Sequence, residues 1–215
     1  MAPVRINTTD YYLLYWGQTA LQEKLENEMC SKIKYASFIF IICSVIGWCL
    51  EVIYRSAVTH SLFIPGFLIG PYCPIYGFGA IIVVFLCGSK SKLFAFLKVF
   101  ILTSVLEYLI SFIIEHVYNQ VLWDYTELPF SIGKRISLPY SLVWGVLGLT
   151  FLLFAEPRVQ SYYKKHQNML NYLSYAGIAL ICADTVIKSV ICFILALEIT
   201  LAHQIRPSDL RGISL

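Results

Sequence analysis

Residues 35–54 read YASFIFIICSVIGWCLEVIY. This stretch has about 20 residues, the length that an α-helix needs to cross the hydrocarbon core of a bilayer, and Glu51 is its only charged residue. The whole chain has the same character, since 58% of its 215 residues are apolar and 13% are charged. Soluble domains contain about 25% charged residues. The composition therefore excludes an ordinary soluble domain and predicts a membrane protein.

Further apolar stretches follow the first one, so we predict an all-α, polytopic membrane helix bundle of about five transmembrane helices. The predicted spans are residues 35–54, 67–87, 93–117, 138–155 and 172–199. They divide the chain into a cytoplasmic amino-terminal segment (1–34), a membrane domain (35–200) and a short carboxyl-terminal tail (201–215). Residues 1–34 contain no signal-peptide pattern, so we expect insertion to begin with the first span.

Lys and Arg are distributed unevenly between the two sides of these spans. With the amino terminus in the cytoplasm, ten of them lie in inner segments and five in outer segments, while Lys188 lies within a span. Because cytoplasmic loops are enriched in Lys and Arg, this count predicts a cytoplasmic amino terminus and an extracytoplasmic carboxyl terminus in the cell membrane. The net charge of +3 is too small and too dispersed to suggest nucleic acid as a partner.

The amino-terminal segment carries a helical pattern of its own. Thr8, Thr9 and Asp10 are candidate helix caps, and apolar residues recur behind them at helical spacing. The pattern predicts an interfacial helix, with a disordered tail as the alternative.

Two of the predicted spans carry acidic residues on one helix face. In the first span, Glu51 and Arg55 are four residues apart and can pair, which lowers the cost of holding each charge in or near lipid. This pair is either a structural anchor or part of a substrate site. In the third span, Glu107 lies near the middle of the bilayer and needs a partner inside the bundle, whereas Glu115 is closer to the outer interface, where we expect it to be solvated.

The second span is interrupted by proline and glycine. Residues 70–79 read GPYCPIYGFG, shortly after Pro65-Gly66. Proline removes a backbone donor and frees carbonyl groups, which must then be paired inside the protein or face water. We therefore predict a broken second helix that lines a substrate site, as in many transporters. A packing kink with Gly66 and Gly70 at a helix contact is the alternative.

The remaining segments offer fewer candidates. In the fifth span, Asp184 and Lys188 are four residues apart, and we predict an intramembrane ion pair. The fourth span presents a close-packing surface of Gly145 and Gly148 beside Trp144, to which we assign no chemistry. The outer loop 123–137 contains interfacial aromatic residues and basic residues that could bind headgroups, or it forms a re-entrant cap over the bundle.

The acidic residues of the first and third spans are expected at similar depths in the bilayer. With the predicted orientation, Glu51, Arg55, the broken second helix and Glu107 all lie in the middle or outer half of the bilayer, below the loop that contains Asp124. We therefore predict one outward-facing polar cavity. The chain has no P-loop, no spacing of His or Cys that is typical of a metal site, and no hydrolase motif. We expect no cofactor and no metal.

Several ordered motifs carry a resemblance to a known family. They are GWCLEVIYR (47–55), Gly66-Phe67 with GPYCPIYGFG (70–79), LEY (106–108), WDY (123–125), and RISLP (135–139) with Ser141 and Trp144-Gly145. Over roughly Phe38 to Glu156, the chain resembles the bacterial family called putative ABC-transporter type IV permeases. It departs from the family pattern at Ser131, Lys134 and Ser137, where Asn, Gly and Cys are commoner. The resemblance implies a permease with a separate ATPase subunit and names no substrate.

Three functions follow as hypotheses. The first is a permease-like subunit that transports an unidentified substrate. Its candidate site residues are Glu51, Arg55, Pro71, Tyr72, Cys73, Pro74, Tyr76, Glu107, Asp124 and Arg135. The second is an envelope-facing membrane enzyme that uses Glu107 or Asp124 as an acid or base, which the missing catalytic motifs disfavour. The third is a non-transporting assembly or sensor protein whose charges only fix helix packing. About five spans could hardly enclose a pathway, so we expect a homo-oligomer or another subunit.

Overall fold

The computed structural model describes the backbone of residues 8–204 and the side chains of residues 19 and 21–199. Five α-helices, one π-helical segment and a two-stranded antiparallel hairpin make up this part of the chain. The helices are α1 (Thr8–Thr59), α2 (Pro74–Leu86), α3 (Lys92–Tyr118), α4 (Leu138–Thr150) and α5 (Glu156–Gln204), with the π-helical segment at Phe151–Ala155 and strands β1 (Ser131–Ile132) and β2 (Ile136–Ser137).

Three helical stretches of the described residues are long and apolar enough to cross a membrane. They are Leu21–Thr59, Lys92–Tyr118 and Leu138–Ile199, while α2 is apolar but has only 13 residues. The predicted all-α class and the membrane character are thus confirmed. The exact count of five spans is not, because α4, the π-helical segment and α5 follow one another without a break and α2 is short.

The helix α1 continues from Thr8 through the predicted first span. The side chains of Thr8, Thr9 and Asp10, the candidate caps of a separate interfacial helix, lie outside the described residues. The boundary near residue 34, like the division of the chain into three segments, therefore stays a prediction.

A bend in α5 brings its second part alongside α1. His166 has φ −124° and ψ 22°, which are not helical values. Just before the bend, the ring of Tyr163 packs against the rings of Tyr35 and Phe38, with centroid distances of 5.0 and 5.2 Å. The Tyr163 hydroxyl also donates to Asn171 Oδ1 across the bend at 2.7 Å. These contacts form the centre of an apolar core at this end of the bundle.

Small residues allow close helix packing at two interfaces. A Cβ atom on Gly77 of α2 would lie 2.5 Å from the Phe40 carbonyl oxygen of α1. A Cβ atom on Gly148 of α4 would overlap the side chain of Val99 on α3. The absence of a side chain at these positions therefore sets the helix separation, as is common in membranes. The predicted close-packing surface on the fourth span is confirmed.

The segment between α1 and α2, residues 60–73, is not helical. The predicted second span, 67–87, therefore consists of an irregular part and of α2, which begins at Pro74. Irregular backbone at membrane depth needs partners within the protein. The Cys73 N–H donates to the Ser44 carbonyl at 2.9 Å, and the Trp48 indole donates to the Pro65 carbonyl at 3.1 Å. Gly66, with φ +116°, adopts a backbone conformation that side chains disfavour.

Candidate functional site

The Glu51 carboxylate is the centre of a polar group on α1 and α2. The Arg55 guanidinium lies 2.9 Å from Glu51 Oε1, so the pair that the spacing predicts is formed. The Cys73 thiol points at the other carboxylate oxygen, with Sγ 3.7 Å from Oε2. The Tyr76 hydroxyl also interacts with Glu51. The Glu51 side chain is 19% exposed and that of Arg55 is 30% exposed, so neither charge is fully withdrawn.

The Glu107 carboxyl is the centre of a second, deeper polar group on α3. Glu107 is only 2% exposed. Its Oε1 accepts a hydrogen bond of 2.9 Å from the Tyr125 hydroxyl, while its Oε2 has no hydrogen-bond partner. The Trp144 indole N–H interacts with Glu107 but does not reach hydrogen-bond geometry. An unsatisfied buried polar group costs about 1–3 kcal/mol. The Glu107 Oε2 atom is therefore available to accept a hydrogen bond from a ligand.

Aromatic side chains connect the two acidic groups. The ring of Tyr76 lies edge-on to Trp144 with a centroid distance of 5.1 Å. On the other side, Tyr125 stacks on Tyr140 at 4.8 Å, and the hydroxyls of Tyr140 and Tyr54 are 2.7 Å apart. Both connections lead from Glu107 back to Glu51 or its neighbours on α1. We call this set the Glu51–Glu107 cluster; it comprises Glu51, Tyr54, Arg55, Cys73, Tyr76, Glu107, Tyr125, Tyr140 and Trp144.

The loop 123–137 positions Tyr125. The Tyr125 N–H donates to the Lys134 carbonyl, and the Trp123 indole N–H donates to the Arg135 carbonyl, each at 2.9 Å. This network fastens the residues before Tyr125 to the β1–β2 hairpin and directs the phenol into the bundle. Burial raises the pKa of Tyr125, with a further contribution from Glu107, so the phenol keeps its proton and donates to the carboxyl.

Arg135 holds the loop on α3 and is not in contact with the cluster carboxylates. Its guanidinium lies 2.6 Å from Glu115, and Lys134 lies 2.7 Å from the other Glu115 oxygen. Glu115 therefore forms two ion pairs while its side chain stays 22% exposed. The guanidinium also lies over the rings of Tyr108 and Phe112, at 5.7 and 5.5 Å.

Asp124 also lies apart from the cluster. Its carboxylate is exposed and accepts hydrogen bonds from the Thr126 hydroxyl, at 2.5 Å, and from the Thr126 N–H, at 2.9 Å. The Thr126 hydroxyl and N–H hold the pKa of Asp124 below its usual value. Within the WDY motif, the residue that enters the bundle is therefore Tyr125.

Asp184 fastens the irregular segment 60–73. Its carboxylate accepts hydrogen bonds from the Ile69 N–H at 3.0 Å, the Gly70 N–H at 2.8 Å and the Tyr72 hydroxyl at 2.6 Å. Lys188 lies 5.5 Å from the ring centroid of Phe67, and among the described residues it forms no salt bridge with Asp184. The candidate Tyr72 thus belongs to this anchor, while Pro71 is exposed and Pro74 begins α2.

Sequence reasoning did not place Tyr54, Tyr125, Tyr140 or Trp144 in the site. Tyrosine and tryptophan near span ends are typical of the membrane interface, and Trp144 lies beside glycines that indicate packing. The available signal was the unmet need of Glu107 for a partner at membrane depth.

A cavity of about 400 Å³ lies next to the cluster, on the side of the π-helical segment. Its walls come from all five α-helices and from that segment, and they are almost wholly apolar. Tyr76, Glu107 and Trp144 belong both to the cluster and to the cavity wall. The arrangement therefore combines a polar end with an apolar compartment.

The family of the chain follows from one comparison. No curated protein and no solved structure matches the chain. A family model described as "Putative ABC-transporter type IV" matches residues 38–189. The matched region contains every residue of the Glu51–Glu107 cluster and the Asp184 anchor. Because the match covers more than half of the chain, the chain belongs to the putative ABC-transporter type IV family.

Proposed function

We propose that the chain is a permease-like membrane subunit whose Glu51–Glu107 cluster forms part of the transport site. One observation carries this proposal: aromatic side chains link the acidic groups of α1 and α3, and one carboxylate oxygen of Glu107 is buried without a partner. Charged groups at membrane depth are costly and mark substrate or ion pathways by default. Membership of a transport-related family supports the same role.

We further propose five membrane crossings, with the second made by residues 60–73 together with α2. Contacts at the two ends of the bundle support this count. Tyr35 contacts Glu156 and Tyr163 at one end, whereas Tyr118 contacts Ser189 at the other. Tyr35 of α1 and the start of α5 therefore lie at one end of the bundle, and the end of α3 lies at the other. The chain must change direction between successive helices to connect these two ends. The end with Tyr35 is the one near most Lys and Arg residues, which supports a cytoplasmic amino terminus and an extracytoplasmic carboxyl terminus in the cell membrane.

A separate ATPase subunit is part of this proposal, because the described residues include no nucleotide-binding motif. Five crossings offer little enclosed volume, so a second copy of the chain or another membrane subunit completes the pathway. Copurification with an ATPase, or crosslinking between copies in membranes, would support these partners.

The test is complementation of a strain that lacks the protein, with metabolite and lipid profiles as the readout. Wild type and Glu127→Gln, a matched change at an exposed loop carboxylate, should restore the profile. Glu51→Gln and Glu107→Gln should reach the membrane in normal amounts and fail to restore it. Equal restoration by all variants would contradict the proposal. A loss that follows only a lower protein amount would favour the assembly function.

A further inference from the structure

A slot separates α1 from α4 and its helical continuation, and a hydroxyl contact bridges the slot at each end. At one end the hydroxyls of Tyr54 and Tyr140 are 2.7 Å apart. At the other end the Tyr35 hydroxyl donates to Glu156 Oε1 at 3.2 Å. The cavity of about 400 Å³ lies between the two bridges, with α2 and α3 as its floor. The slot is therefore closed at its ends and open along its side.

The open side faces lipid. On α1, Ile46 and Leu50 line the slot and are 49% and 45% exposed. On the opposite wall, Leu147 and Phe154 are 42% and 60% exposed. Because these apolar side chains lie at membrane depth, the molecules that reach the opening are those dissolved in the hydrocarbon core.

The floor and walls of the slot offer few hydrogen-bond partners to water or to a polar ligand. Thr103 lines the slot, but its hydroxyl donates to the Val99 carbonyl of its own helix at 2.8 Å. The floor is formed by apolar residues such as Ala80, Val83 and Leu106. A water molecule needs two to four polar partners in a cavity, which this lining does not provide away from Glu107.

The π-helical segment contributes to this wall. Phe151, Phe154 and Ala155, three of its five residues, line the slot. π-Helical turns interrupt the regular register of a helix and are frequent at functional sites. This is the only π-helical segment among the described residues, and it lies at the slot.

We propose that the slot binds the hydrocarbon chain of a lipid-like amphiphile and that the polar end of this ligand lies against the Glu51–Glu107 cluster. Tyr76, Glu107 and Trp144 form the boundary where the two environments meet. The inference rests on the proposed transport function and names the substrate class of the same site. Ligand pockets occupy about 300–1,000 Å³, so the slot has a suitable size.

A helix from a second copy is the competing occupant. The hydroxyl contacts of Tyr54 and Tyr35 close the slot at its two ends, which prevents a continuous helix from lying along it.

Gly79 provides a way to fill the slot without disturbing its walls. It lines the slot, and a Cβ atom there would meet only Leu106, at an ordinary contact distance of 3.8 Å. Gly88 is the matched control, because a Cβ atom there would meet nothing within 4 Å and the residue lies outside the slot.

The experiment is photo-crosslinking of the full chain in nanodiscs with a hexadecanol analogue that carries a diazirine on its chain. Wild type and Gly88→Leu should be labelled on α2 and α4 peptides, and unlabelled hexadecanol should compete. Gly79→Leu should weaken this saturable binding at least about tenfold, because the leucine displaces several buried methylenes. Labelling that does not saturate, or that is equal in Gly79→Leu, would overturn the proposal. So would crosslinks that join two copies through the slot.

If Gly79→Leu fails to fold, competition by the unlabelled compound in wild type still shows whether the slot binds the hydrocarbon chain specifically. The outcome is also separable from the transport test. Unsaturable labelling together with loss of function in Glu51→Gln and Glu107→Gln removes the substrate class and leaves the transport role. Saturable labelling with unimpaired charge variants supports the slot as a lipid site and removes the transport role.

Discussion

Replacement of Asp184 by alanine should destabilise the protein by about 3 kcal/mol. The carboxylate accepts hydrogen bonds from three donors of the irregular segment, Ile69 N–H, Gly70 N–H and the Tyr72 hydroxyl. Each such bond contributes about 1 kcal/mol net, and hydrogen bonds between membrane helices have similar or smaller values. The sum is about 3 kcal/mol, which corresponds to a fall in melting temperature of about 6–12 °C for a chain of this size.

The controls separate this anchor from the ion pair that the sequence spacing predicts. Tyr72→Phe removes one of the three bonds and should cost about 1 kcal/mol. Lys188→Met removes the contact with the Phe67 ring and a longer-range attraction to Asp184, and it should cost less than about 1 kcal/mol. If Asp184 acted through an ion pair with Lys188, the alanine and methionine variants would be destabilised to a similar extent.

Thermal unfolding in detergent micelles gives the stability order, and the alkylation rate of Cys73 reports on the segment itself. Cys73 is buried at the end of the irregular segment, so Asp184→Ala should speed its modification while Lys188→Met leaves it unchanged. A melting temperature for Asp184→Ala within error of wild type, with an unchanged Cys73 rate, would refute the anchor.

Three further predictions concern the cluster, the helix contact and the topology. Tyr125→Phe should lower stability by about 1 kcal/mol, and in a double-mutant cycle with Glu107→Ala the two effects should not add, because both changes remove the same hydrogen bond; additive melting shifts would count against the contact. Gly77→Ala should destabilise the α1–α2 contact by about 1–3 kcal/mol through overpacking against Phe40, whereas Gly88→Ala should be neutral in the same thermal assay. A reporter enzyme that is active only outside the cytoplasm should be active when fused to the carboxyl terminus and inactive at the amino terminus; the reverse pattern would contradict the proposed orientation.

The helical membrane character could be predicted because it depends on local properties of the sequence. Runs of apolar residues must bury their backbone groups in helices wherever they lie in lipid. The Glu51–Arg55 contact is local in the same sense, because two residues four apart share one helix face. The close approach of α4 to α3 also follows from a local pattern, the glycines on one face.

The partners of Asp184 and Glu107 could not be predicted in the same way. Asp184 has Lys188 at the same spacing as Glu51 has Arg55, but three donors from a segment more than a hundred residues earlier occupy its oxygens. Likewise, the partner of Glu107 comes from a loop whose fold depends on contacts between Trp123 and the β1–β2 hairpin. Spacing along a helix does not reveal donors that tertiary folding supplies.

The Asp184 anchor also imposes an order on biosynthesis. Ile69 and Asp184 are 115 residues apart, so at about 5–20 residues per second the ribosome adds Asp184 about 6–23 s after Ile69. During that interval the amide groups of Ile69 and Gly70 lack the acceptor that they have in the finished protein. Until α5 is inserted, these amide groups must be hydrated or shielded by the insertion machinery. The early helices therefore depend on that machinery until α5 has been inserted.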